Sequence, residues 1–202
     1  MRSNVKTPHL FDSGVQSALR LYSMQIQTQR LFLREFVTSD WQAVLAYQSD
    51  PRYLRFYEWE HRTESEVRAF VQRFVNLQNE QPRTKYQLAI TLNGQLIGNC
   101  GVRFDRANSR VAELGYEIAP DYWRKGYASE AARAMLGLGF DTLNAHRIDA
   151  WCIAENIASA NLLEKLGFKR EGVVREQRWF KERWWDALLY GLLEHEWRGL
   201  RV

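Results

Sequence analysis

The chain has 202 residues, 46% of them hydrophobic and 26% charged, which fits one globular domain and excludes a disordered or fibrous class. Its 28 basic and 24 acidic residues leave a net charge of +4, an excess compatible with ordinary solubility or an anionic partner and diagnostic of neither. No apolar run approaches the ~20 residues of a membrane helix, and the N-terminus lacks a signal-like apolar core, so a cytoplasmic location is expected.

Residues 1–23 show weak periodicity and read as an N-terminal extension with one short helix at 13–22, set apart by the polar "QIQTQ". A single domain is expected over 24–198, with a tail at 199–202. The first strand is expected in "RLFLREF", 30–36, where Leu31 and Leu33 alternate with arginines. Thr38 to Asp40 cap a helix reaching about Ser49, which Asp50-Pro51 ends. Thr63 and Glu66 form a capping-box pattern ahead of Val67, Phe70, Val71, Phe74 and Leu77 at helical spacing.

Residues 86–92 and 95–104 flank Asn93-Gly94, a hairpin signal. The next strand, 111–118, contains Gly115, which predicts a bulge or a close backbone approach. A helix is expected from about Arg124 to Asp141, a strand from Arg147 to Ile153, and a helix from about Asn156 to Lys165 closed by Gly167. Two more strands, 168–178 and 184–193, flank a turn near Lys181-Glu182. The order β α α β β β α β α β β defines a mixed α/β domain.

Cys100 and Cys152 lie in apolar strand-like runs and read as buried thiols, while His9, His61, His146 and His195 are scattered, so no metal site is expected. The P-loop and the three-glycine dinucleotide pattern are both absent. What remains is "APDYWRKGYASEAAR", 119–133: strand, short turn, Gly126, Ala128 and a long helix. Gly126 lets the backbone approach a ligand, Ala128 keeps the next turn thin, and free amides within 124–129 would face an anion. Arg124 and Lys125 add charge at an end where acidic residues are favoured, which an anion would explain and a solvated surface would tolerate. A second unit, "WCIAENIASANLLEKLGF", 151–168, has Asn156 as N-cap and Ser159 three residues on. Two parallel strands, 113–119 and 147–153, each followed by a helix, would open a cleft beyond their carboxyl ends.

In this order and separation, these units resemble the acetyl-CoA-binding motifs of the GCN5-related N-acetyltransferase (GNAT) superfamily, and more closely its RimJ/RimL-type branch, whose members acetylate N-terminal amines of ribosomal proteins. The resemblance runs from "QTQRLFLREF" through "NGQLIGNCGV" to "DALLYGLLEHEW", about residues 28–197. It implies the acyl-CoA N-acyltransferase fold: a central mixed, mostly antiparallel β-sheet with a cleft between its fourth and fifth strands. Acetyl-CoA would lay its pyrophosphate on the backbone of Arg124, Lys125, Gly126, Tyr127, Ala128 and Ser129, and its pantetheine arm between the strands of Tyr116, Ile118 and 147–153, with Asn156 and Ser159 on the far side. The superfamily's usual Gln or Arg three residues before the first motif glycine is Trp123 here, a departure that suits this branch.

Acetyl transfer needs a deprotonated amine, a polarised carbonyl and a route for protonating the thiolate. A backbone N–H near Tyr116 to Ile118, freed by a bulge, is expected to hold the carbonyl. Glu113 and Glu117 are the candidate bases, Glu117 being nearer the cradle; a structural or substrate-charge role is open for both. Many superfamily members carry a tyrosine as acid where this chain has Leu163, so Ser159 is the candidate acid or sulfur contact, with Tyr116 and Tyr127 as further possible donors. The acceptor is expected to meet the two early helices, "YLRFYEWEHR" at 53–62 and "WFKERWW" at 179–185. It is an amine, either a protein N-terminus or a small molecule such as a polyamine or aminoglycoside. Aromatic and basic interleaving also fits nucleic acid, but Glu58, Glu60, Glu176 and Glu182 break the basic patches, so no nucleic-acid or membrane partner is expected. A non-catalytic acyl-CoA-binding regulatory protein is the remaining alternative, and the chain is a monomer or a homodimer.

Overall fold

The computed structural model describes residues 24–200. In chain order the elements are β1 Gln25–Gln27, β2 Phe32–Glu35, α1 Trp41–Gln48, α2 Pro51–Leu54, α3 Glu64–Leu77, β3 Lys85–Leu92, β4 Gln95–Phe104, β5 Val111–Ile118, α4 Tyr127–Gly137, β6 Arg147–Ile153, α5 Ile157–Lys165, β7 Lys169–Phe180, β8 Arg183–Leu193 and α6 Glu194–Gly199. The eight strands form one sheet, β1-β2-β3-β4-β5-β6-β8-β7. Every neighbouring pair is antiparallel except β5 and β6. The expected mixed α/β class is therefore observed.

Local chemistry accounts for most boundaries. Asn93 and Gly94 both have positive φ, 50° and 80°, as a type I′ hairpin turn requires. Thr63 and Glu66 close the capping box at the start of α3. Asp50 does more than end α1: its side chain accepts from the Arg52 amide and starts the one-turn α2. Four elements depart from the sequence reading, the one-turn α2 among them. β1 precedes the strand expected to be first, so the strands expected as fourth and fifth are β5 and β6. α4 begins at Tyr127 rather than Arg124, because Arg124 and Gly126 both take positive φ, and it gives way to a π turn, Leu138–Thr142. α6 was not expected; it is fixed by tertiary packing of Trp197, 2% exposed, on Phe140. The helix expected at 13–22 lies outside the described residues.

Period-2 alternation divides the core between the two sheet faces. Leu88, Ile90, Cys100, Val102, Leu114 and Ile148 pack with α4, α5 and α6 on one face. On the other, Phe36, Val44, Tyr47, Val67, Val71 and Phe74 cluster with Ala89 and Leu96 beneath α1 and α3. Among the described residues no helix is long and apolar enough to cross a membrane.

Candidate active site

β5 and β6 pair only from Val111 to Glu113 against Arg147 to Asp149. β6 then stays with β8 along its whole length, so the edge of β5 from Leu114 to Ile118 is left without a strand partner toward β6. This splay corrects one expectation. No bulge interrupts β5, whose register with β4 runs unbroken from Ala112 to Ile118. Backbone groups are freed by strand divergence instead. Gly115 serves the other purpose foreseen for it, a close approach: a Cβ there would lie 2.3 Å from Arg103 Nη2.

At the mouth of the splay, the chain turns into α4 through Arg124 (φ 60°) and Gly126 (φ 82°). The first helical hydrogen bond is Glu130 N–H to the Gly126 carbonyl, 3.1 Å, so the amides of Tyr127, Ala128 and Ser129 have no helical acceptor and no side chain caps them. Such an end is electrostatically suited to an anion. Arg124 and Lys125 are exposed beside it, and Lys125 Nζ donates to the Asp121 carbonyl. Trp123 Nε1 donates to the Ile118 carbonyl at 2.6 Å, tying the end of β5 to the cradle. Ile118 itself is buried in the core.

Arg30 was not singled out from the sequence, although it stands in the quoted "QTQRLFLREF". Its Nη1 donates to the Lys125 carbonyl at 2.9 Å, its Nε pairs with Glu130 at 2.7 Å, and its guanidinium lies over the Tyr127 ring. Glu130 also accepts from the Thr28 hydroxyl and the Arg30 amide. The cradle is thus stapled by a segment about a hundred residues upstream.

Across the splay, Asn156 Oδ1 accepts from the Ser159 amide and caps α5. The Ser159 hydroxyl shares a 2.7 Å hydrogen bond with the Tyr116 phenol. Burial raises that phenol well above its ordinary value, and burial likewise raises the Cys152 thiol that Ser159 also contacts. Leu163, at the superfamily's usual tyrosine position, is 1% exposed in the core. Cys100 is buried too, its thiol pushed up to about 12.

Glu113 and Glu117 project from the same face of β5, as strict alternation requires. Their surroundings differ. Glu113 is paired with Arg103 at 2.7 Å and is 45% exposed. Glu117 is half-buried, and its Oε2 accepts three hydrogen bonds, from Tyr47 Oη (3.0 Å), Gln48 Nε2 (3.1 Å) and Asn99 Nδ2 (2.9 Å). The first two donors come from the last turn of α1. Around them Tyr47, Tyr53, Tyr57 and Trp59 form a run of ring contacts. The 53–62 and 179–185 segments, expected to meet the acceptor, touch one another: Phe56 lies edge-on to Trp185 at 6.0 Å, and Lys181 Nζ donates to the Leu54 carbonyl at 2.6 Å. Among the described residues no group of His, Cys, Asp and Glu is placed to hold a metal ion.

A mostly antiparallel sheet splayed at its one parallel pair, with an anion-binding helix start at the opening, defines an acyl-CoA-dependent acyltransferase architecture. Residues 30–169 match the acetyltransferase (GNAT) domain family, and the chain belongs to that family. It is 38% identical over 174 residues to the uncharacterized N-acetyltransferase YnaD of Bacillus subtilis, covering 86% of this chain and 99% of that one. A GNAT-family acetyltransferase from Bacillus anthracis superimposes with a TM-score of 0.73 at 33% identity, covering 85% of this chain and 99% of the other. The [ribosomal protein uS5]-alanine N-acetyltransferase of Escherichia coli is 32% identical over 92 residues, 46% of this chain and 47% of that protein. The chain is accordingly an acetyl-CoA-dependent N-acetyltransferase acting on an amine.

Proposed function

We propose that residues 24–198 form a RimJ/RimL-type enzyme that moves the acetyl group of acetyl-CoA directly to the α-amine of a protein N-terminus, with Glu117 as base. The observation that carries the base assignment is the contrast between the two carboxylates. Glu113 is committed to Arg103, whereas Glu117 has one oxygen fixed by three donors and the other without a hydrogen bond among the described residues. The partial likeness to the uS5-alanine enzyme and the Trp123-x-x-Gly126-Tyr127-Ala128 and Asn156-x-x-Ser159 motifs favour the branch.

In this reading the amides within 124–129, with Arg124 and Lys125 as auxiliary charge, hold the diphosphate, and Asn156 and Ser159 face the pantetheine arm. A backbone N–H on the open edge of β5, in the Tyr116 to Ile118 stretch, polarises the thioester carbonyl. Glu117 takes a proton from the substrate ammonium; the free amine then attacks, the N–C bond forms and the C–S bond breaks, and the second proton on nitrogen passes to the departing thiolate. The Ser159 hydroxyl donates a hydrogen bond to the departing sulfur, backed by Tyr116.

Radiolabelled acetyl transfer to a panel of peptide N-termini, polyamines and aminoglycosides tests the acceptor. Peptides are expected to be labelled; labelling of polyamines or aminoglycosides alone would move the acceptor to a small molecule. In Glu117→Gln, kcat/KM should fall by about 10²-fold or more with acetyl-CoA affinity unchanged. Undiminished turnover would remove Glu117 as the base.

A further inference from the structure

The face of the sheet between Glu113 and Glu117 carries a continuous chain of side-chain hydrogen bonds. Arg103 Nη2 donates to Glu113 Oε1 at 2.7 Å, and Arg103 Nη1 donates to Gln87 Oε1 at 3.2 Å. Gln87 Nε2 donates to Asn99 Oδ1 at 2.6 Å, and Asn99 Nδ2 reaches Glu117 Oε2 at 2.9 Å. Gln87 and Asn99 are each 2% exposed, so the bond between them runs without competition from water, while the Arg103–Glu113 end of the chain is open to solvent.

Register and small residues make room for the chain. Arg103 sits opposite Glu113, Asn99 opposite Glu117, and Gly101 opposite Gly115. The paired glycines leave the lane empty: a Cβ on Gly101 would lie 2.3 Å from Gln87 Oε1, and one on Gly115 would meet Arg103 at the same distance. Both glycines have ordinary backbone angles, so it is space, not φ, that selects them.

The chain has a direction. A guanidinium can only donate, so Gln87 must turn its oxygen toward Arg103. Its nitrogen then faces Asn99, which must present its own oxygen there. That leaves the Asn99 nitrogen for Glu117. Reversing either amide would set donor against donor or acceptor against acceptor in a buried lane. Charge fixes this sense from both ends: Arg103, itself held by Glu113, can only donate, and the ionised Glu117 can only accept.

We infer that Arg103 is a remote positioning residue that, through Gln87 and Asn99, fixes a hydrogen-bond donor on Glu117 and so holds that carboxyl in one orientation. The catalytic consequence rests on the reading of Glu117 as base; the positioning itself does not. The other ionisable groups facing Glu117 are Tyr47 on α1, Tyr53 on α2 and Tyr57 just after it. Burial raises all three phenols, which stay neutral and leave the sheet-side chain as the charge-bearing influence.

The test is the carboxyl ¹³C titration of Glu117 in protein labelled at glutamate, assigned by loss of the signal in Glu117→Gln, alongside kcat/KM against pH. In Arg103→Leu and Gln87→Leu the Glu117 midpoint should move up by about one pH unit, since a donor to the charged form becomes free to turn away. Arg103→Lys, still donor-only, should hold the wild-type midpoint. The acid limb of kcat/KM should follow the titration while the KM for acetyl-CoA stays unchanged. An unmoved midpoint in folded Arg103→Leu overturns the inference, and Gln87→Leu decides the matter should Arg103→Leu fail to fold. A midpoint that moves while the rate profile does not supports the positioning and instead counts against Glu117 as the base.

Discussion

The Tyr116 phenol and the Ser159 hydroxyl share one short hydrogen bond, and its chemistry depends on which group gives up a proton. Burial holds the phenol well above its ordinary value, so tyrosinate is strongly disfavoured there. Either hydroxyl can donate this bond; we propose that Tyr116 donates it and so polarises Ser159, and does not release its own proton to sulfur. Losing one such bond is worth about 1.4 kcal/mol, or tenfold in rate. Tyr116→Phe should accordingly lower kcat by about tenfold, and Ser159→Ala by more, each with little change in the KM for acetyl-CoA. Unchanged kcat at saturating donor in both variants would remove the pair from thiolate stabilisation. The sequence revealed the gap at Leu163 and offered Ser159 and Tyr116 as separate candidates, but not that the two hydroxyls meet. Tyr116 and Ser159 are 43 residues apart and meet only because β5 and α5 face each other across the splay. Arg103 was hidden for the same reason: its role lies in neighbours on adjacent strands, which a single chain read end to end does not juxtapose.

At the scale of elements, the start of α4 depends on the staple made by Thr28, Arg30 and Glu130. Burial alone would push the Glu130 carboxyl up, but the hydrogen bonds from Thr28 and Arg30 outweigh it and hold the group below its ordinary 4.5. Because the folded value is the lower one, the staple's contribution is complete above 4.5 and is lost as pH falls through that lowered value. The difference in Tm between wild type and Glu130→Gln should therefore be present at neutral pH and shrink on acidification. A difference independent of pH would show that the carboxylate's charge is not what matters. Arg30→Ala should weaken acetyl-CoA binding severalfold at neutral pH, and unchanged affinity would mean the cradle holds its shape unaided. Elements defined by local chemistry were legible in advance: the Asn93-Gly94 turn, the Thr63 capping box, the Asn156 cap and Gly167, whose φ is 95°. β1 and α6 were not, since three and six residues are too short to display a period and owe their existence to packing. The bulge expected at Gly115 failed because a glycine in a strand signals missing volume as readily as irregular pairing.

Across the whole molecule, the sheet is a partition. The core beneath α4 and α5 supports the cradle, Ser159 and Tyr116, while the one beneath α1 and α3 supports Glu117 and the aromatic segment after α2. Changes on the second face should therefore alter acceptor kinetics and leave the donor untouched. Trp185 is a poor probe of this, being 5% exposed and stacked on Phe180 at 4.8 Å, so that truncation would cost about 3–5 kcal/mol of stability. Phe56, only partly buried against it, is the better one. Phe56→Ala should raise the acceptor KM with acetyl-CoA affinity constant, and a parallel loss of donor binding would contradict the partition. Trp123 belongs to neither face: its ring is 42% exposed and its indole N–H grips the end of β5 just before the cradle. Its emission should therefore change as a donor molecule settles into the opening, an optical readout that needs neither an acceptor nor turnover; unchanged emission on adding acetyl-CoA would place the donor away from this turn.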